Sequence, residues 1–159
     1  MRARMGQFRL RFAVVATVIA VAVSGCAGTT PTPEQAIQDA GRELRQAVSG
    51  NVADAGRRDQ MLALVDQIEA TQRSFSTQAA DFASQYSRMN ADYDAPRARF
   101  EELFSAFNEH RIQSRDRVLE LHFRLAALAT AEEWKPIGKA EAKLYEDAHL
   151  ARAEAAGGA

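Results

Sequence analysis

The chain of 159 residues holds one cysteine, Cys26, and three histidines, His110, His122 and His149. These are the side chains first asked for nucleophilic or metal chemistry, and their spacing offers little of either. A single thiol forms no intrachain disulfide. No histidine has another three or four positions away, the spacing that sets two ligands on one helix face. Glu146 and His149 share such a face, but two ligands do not complete a metal site. The chain has no Gly-x-Ser-x-Gly elbow, no His-Glu-x-x-His pair and no phosphate-binding glycine loop. Glu101-Glu102 and Glu132-Glu133 are adjacent, so on helices their carboxylates point in different directions and suit a solvated face. The expectation is a protein that is not an enzyme, with no catalytic residue, no metal site and no cofactor. Two features remain to be explained: the setting of Cys26 and a series of aromatic residues in the middle of the chain.

Cys26 follows a leader of distinct character. Arg2, Arg4, Arg9 and Arg11 precede an apolar run from Phe12 to Val23, in which Thr17 is the only polar member. Twelve residues are too few to span a bilayer as a helix, which takes about 20, and fit the apolar segment of an export signal. Val23, Ser24 and Gly25 then lead into the cysteine. This order resembles the lipobox of bacterial lipoproteins: an aliphatic residue, two small residues and a cysteine. The resemblance implies that the Cys26 thiol takes a diacylglyceryl group, that cleavage falls between Gly25 and Cys26, and that the new amine is acylated as well, with chains of the palmitate class. Each buried methylene contributes about 0.8 kcal/mol, and two or more chains hold a protein firmly to a membrane. Ala27 follows the cysteine where an aspartate commonly marks inner-membrane retention, which resembles the class sorted to the outer membrane and facing the periplasm.

The bulk numbers agree with an exported globular body. Charged residues make up 26% of the chain and hydrophobic ones 47%, a folding balance. Removing residues 1–25 takes away four arginines and no acid, so 16 basic side chains face 21 acidic ones and the remainder carries about −5. That excludes a nucleic-acid role, which needs a basic footprint, and leaves no polybasic grip on anionic lipid.

The elements that must position the rest read as helices. Residues 1–25 are expected to be the signal peptide, 26–32 the lipidated tether, 33–154 a helical domain and 155–159 a disordered tail. Thr32-Pro33-Glu34-Gln35 predicts a helix start with a capping box, and Ser49-Gly50-Asn51 predicts its stop, with Asn51 capping the next helix. Met61, Val65, Ile68, Gln72, Phe75, Ala79, Phe82, Tyr86, Met89 and Tyr93 then recur in steps of four and three, a heptad seam. Asp92 to Pro96 is a break. A second seam follows in Phe100, Phe104, Phe107, Arg111, Ser114, Val118, Leu121, Leu125 and Leu128. Two such seams joined by a short turn predict an antiparallel hairpin. Residues 129–135 are expected to turn, despite the capping-box pattern Thr130-Ala131-Glu132-Glu133, with a last helix from Pro136 to Glu154. The fold class is therefore all-α: a long, coiled-coil-like antiparallel hairpin with short N- and C-terminal helices packing at its open end.

Ten aromatic residues lie beyond the leader, and Phe75, Phe82, Tyr86, Tyr93, Phe100, Phe104 and Phe107 fall in the half of the hairpin nearest its turn. Two helices alone cannot enclose side chains that bury 150–250 Å² each, so these seven are the expected interface for a protein partner or a second copy. Gln72, Arg111 and Ser114 interrupt the seams as a polar layer that would fix register. The hairpin with flanking helices resembles the Spy/CpxP group of exported helical-hairpin proteins, through Thr32-Pro33-Glu34-Gln35 and Thr130-Ala131-Glu132-Glu133 against that group's repeated Leu-Thr-x-x-Gln. Pro31 and Ala129 stand where the leucines would be and Glu133 where the last glutamine would be, and no site residue carries over. The expected function is that of a non-enzymatic envelope lipoprotein acting through protein binding or self-association in stress handling, chaperone-like holding or assembly. The alternative is a periplasmic sensor or carrier of a metal or small ligand.

Overall fold

The computed structural model describes residues 31–157; the leader, Cys26 and its Gly25 cleavage site lie outside the described residues, as do 158–159. Four helices and no strand make up the described chain: α1 (Pro33–Asn51), α2 (Ala55–Asn90), α3 (Arg97–Leu128) and α4 (Ala131–Gly157). The all-α hairpin expected from the seams is the observed fold.

Three of the four helices start at a side-chain cap, and α3, which follows Pro96, has none. Thr32 Oγ1 accepts from the Gln35 amide at 3.2 Å while Gln35 Oε1 accepts from the Thr32 amide at 2.9 Å, the reciprocal box that satisfies two otherwise free donors. Pro33 opens α1 where its missing N–H costs nothing. The predicted stop at Ser49-Gly50-Asn51 is corrected: α1 continues through all three. The helix carries on until Val52, whose side chain is buried in the core and whose amide still donates to the Val48 carbonyl at 3.0 Å. Asn51 Nδ2 bonds back to the Ala47 carbonyl at 2.7 Å, so it does not cap α2. Asp54 does, its Oδ1 accepting from the Arg57 amide at 2.7 Å.

The expected turn over 129–135 is corrected as well. Helix α4 starts at Ala131 and carries Pro136 inside it. Thr130 and Glu133 form a second reciprocal box, at 2.8 and 3.3 Å. Arg57 then grips Glu133 with two bonds of 2.6 and 2.8 Å, which fixes that first turn in helical form. Pro136 cannot donate to the Glu132 carbonyl, and Glu132 is exposed. At its other end α4 passes Glu154 and runs to Gly157.

The packing divides the molecule lengthwise. Helix α2 spans about 54 Å and α3 about 48 Å at a rise of 1.5 Å per residue, and they pair antiparallel over that length. Helices α1 and α4 pack on each other and on the hairpin at its open end. There Ile37, Leu44, Val48, Met61, Val65, Ile68, Leu121, Leu125, Ile137 and Leu144 make one buried core to which all four helices contribute. Each fully buried side chain of this kind contributes about 1.5–3 kcal/mol relative to exposure. Beyond Gln72 on α2 and before Leu121 on α3 no residue is buried. No helix among the described residues is long and apolar enough to cross a membrane.

Candidate functional site

The uncovered half of the hairpin carries a continuous stack of rings. Phe82 lies flat against Phe107 with centroids 4.2 Å apart and meets Phe104 edge-on at 5.3 Å. Tyr86 continues the stack toward the turn, edge-on to Phe104 at 5.9 Å and to Phe100 at 6.2 Å. Phe75 and Phe107 stack at 6.1 Å on the side nearer the core. These are the geometries that ring quadrupoles favour, and they set the register of the two helices. They do not hide the rings: Tyr86 is 39% exposed and Phe104 is 49% exposed. Six of the seven aromatic residues singled out from the sequence thus form one ladder. The seventh, Tyr93, leaves it. The seam ends with α2 at Asn90, and Tyr93 stands in the connecting turn, 102% exposed.

Helix α4 decides where the open surface begins. The Arg152 guanidinium sits 5.2 Å over the Phe75 ring and donates to Gln72 Oε1 at 3.3 Å. Burial lowers the Arg152 pKa from the ordinary arginine value. The polar interruption at Gln72 is therefore answered by α4. Arg111 faces solvent and bonds Asn108 on its own helix at 2.8 Å, while Ser114 is half-buried in the hairpin. An open groove of about 490 Å³ runs between α2 and α3 in the tip half, with Phe82, Met89, Leu103 and Phe107 as its apolar lining and Gln78 and His110 among its polar groups. Gln78 Nε2 bonds Ser74 at 3.3 Å, and Gln78 Oε1 is buried without a partner among the described residues.

Two buried carboxylates were not foreseen from the sequence. Glu141, 2% exposed, accepts from Tyr145 Oη at 2.8 Å through one oxygen and lies 2.8 Å from His122 Nδ1 through the other. Burial, with the neighbouring Glu141 charge, pushes the Tyr145 hydroxyl far above its ordinary pKa. The spacing of Glu141 and Tyr145 at i and i+4 was a readable hint; the approach of His122 from α3 was not. The His122 ring also packs edge-on to Phe123 at 5.2 Å and Trp134 at 5.6 Å. The shared carboxylate joins the His122 imidazole of α3 to the Tyr145 hydroxyl of α4, and the arrangement ties the two helices together.

The second is Glu69, 3% exposed, held by Arg45 from α1 and by Arg73 at 2.9 Å. Gly41 lets α1 approach this carboxylate, since a Cβ there would collide with it. His110 and His149 are exposed. Among the described residues no group of three or more His, Cys, Asp or Glu side chains is placed to hold a metal ion.

No family model, no curated protein and no solved structure matches the chain. The site is therefore understood from its own geometry.

Proposed function

We propose that the protein is a non-enzymatic lipoprotein of the bacterial envelope, fixed to its membrane by acyl chains on Cys26, and that it works by binding another protein or a second copy of itself along the aromatic half of its hairpin. The observation that carries the second part is the uneven cover. Helices α1 and α4 shelter only the open end, and the same seam continues beyond them with Tyr86 and Phe104 left open. Leaving rings of this size in water forgoes a burial worth about 1.5–3 kcal/mol for each side chain fully enclosed, and contiguous open apolar surface is where partners dock. The lipobox-like order Val23-Ser24-Gly25-Cys26 supports the first part, and Ala27 after the cysteine supports an outer-membrane address facing the periplasm. Client holding, stress handling and assembly support are the roles such a surface serves.

Affinity capture from intact envelopes, run with the wild type and with Phe104→Asp, tests the reading. The wild type should retain a discrete partner or a second copy that the variant loses, with circular dichroism unchanged between them. Equal recovery by both proteins would reject the aromatic face as the interface.

A further inference from the structure

The open rings lie on the face of the hairpin that α1 and α4 cover, in the half those helices do not reach. Phe104 stands 18 residues from His122, about five helical turns, so both project from one side of α3. His122 meets α4 there through Glu141. Tyr86 stands the same 18 residues from Ile68 on α2, and Ile68 is buried in the core that all four helices share. The cover ends at a step. Arg152 of α4 sits over Phe75. Gly41 of α1 faces Glu69, and counting back along this antiparallel pair sets Pro33 level with Thr77. Past the step, a shelf two helices wide is bare over residues 77–90 and the facing stretch of α3.

The two ends of the shelf carry opposite charges that the chain itself leaves unmatched. At the step, Arg111 bonds only the Asn108 side-chain oxygen and Arg152 only that of Gln72 among the described residues. Neither guanidinium has a carboxylate. At the other end Asp92 and Asp94 flank the fully exposed Tyr93 ring. Asp92 accepts from the Asp94 amide, and the next arginine, Arg97, is taken by Glu101 at 2.7 Å.

We infer that a second copy of this chain covers the shelf in antiparallel fashion, so that the turn of residues 92–94 in each copy docks on Arg111 and Arg152 of the other. The inference rests on the reading of the aromatic face as an interface and names its occupant. The missing layer is two helices wide and as long as the tip half, and a tip half is itself a layer of that size with an apolar face. Two-fold pairing fills both shelves at once, so the assembly closes at a dimer. Phe104 and Tyr86 of both copies then lie near the axis. Tyr93 gains a partner as well, since a guanidinium over an aromatic ring is a favourable contact. The covered outline is about 20 Å by 20 Å on each copy. That gives about 800 Å² in all, the size of a weak and reversible complex.

Charge reversal tests this pairing. Full-length protein in a mild detergent, followed by sedimentation velocity over a concentration series, should show a monomer–dimer equilibrium. Asp94→Arg and Arg111→Glu each bring like charges together twice, and each alone should dissociate at least about tenfold more readily. Mixed in equal amounts, the two variants should recover the wild-type dimer, because every turn then meets an opposite charge. Circular dichroism should be unchanged throughout. A mixture no more dimeric than its components, or single variants that dimerise as well as the wild type, overturns the pairing. A wild type that stays monomeric while Phe104 still captures a different envelope protein overturns the second copy and leaves the aromatic face standing. A dimer that Phe104→Asp leaves intact overturns both.

Discussion

Two glycines of α1 make a sharp test of the packing, because they are alike in sequence and opposite in surroundings. Gly50 has nothing within 4 Å of where a Cβ would stand, whereas a Cβ at Gly41 meets the Glu69 carboxylate. Neither has a positive φ, so alanine fits the backbone at both. Helix propensity alone favours Gly→Ala by about 1 kcal/mol, and Gly50→Ala should be stabilised by about that amount. At Gly41 the carboxylate must move, yet it is almost wholly buried and gripped by Arg45 and Arg73. Losing charge-assisted hydrogen bonds to the partly exposed Arg45 and Arg73 costs about 1.5–3 kcal/mol. Set against the propensity gain, Gly41→Ala should be destabilised by about 0.5–2 kcal/mol. Urea unfolding of the domain, followed by circular dichroism, measures both. A cycle with Glu69→Gln isolates the cause: in that background the two alanine variants should differ less. If Gly41→Ala is as stable as Gly50→Ala in the wild-type background, the close approach of α1 to Glu69 is refuted.

Other outcomes follow from the same structure. Leu125→Ala, in the core, should cost about 2–5 kcal/mol, whereas Phe104→Ala, already half-exposed, should cost about 1 kcal/mol by urea unfolding; equal costs would mean the tip is core. The Arg57 hydrogen bonds hold the Glu133 pKa below the usual carboxylate value, so its contribution is present above the unfolded value of about 4.3 and is lost as pH falls through the lowered folded value. The stability gap between wild type and Glu133→Gln should therefore stand at neutral pH and close on acidification below about pH 4, measured by thermal unfolding across that range. Cys26→Ser should abolish fatty-acid labelling and leave an uncleaved or soluble precursor; undiminished labelling would refute acylation at that thiol.

Much of this fold could be read from residue spacing because its causes are local. The capping box at Thr32 and Gln35 lies within one turn, and the heptad steps of both seams report a period that any paired helix must keep. Rings on the two seams, Phe82 with Phe107 and Tyr86 with Phe104, meet across the hairpin as that period requires. Where spacing misled, burial, a distant partner or the length of a helix decided the outcome. Ser49-Gly50-Asn51 looks like a stop, but the burial of Val52 carries α1 through it. Pro136 looks like a start, but Arg57, far away in sequence, fixes Glu133 and the helical turn before the proline. Tyr93 has the spacing of a seam residue and lies in the turn, since α2 ends three residues earlier. The ties between His122 and Glu141 and between Gly41 and Glu69 join separate helices, and no spacing within one helix announces them. The aromatic cluster was legible because its composition alone exceeds what two helices can cover.

The hairpin beyond Gln72 is proposed as the docking surface. A photo-crosslinking amino acid placed at Phe104 in living cells tests it most directly, with Leu119, exposed on the covered half, as the comparison. Irradiation should yield a discrete covalent adduct of defined mass from position 104 and none from 119. Position 104 giving no adduct, or both positions giving the same one, would contradict the account.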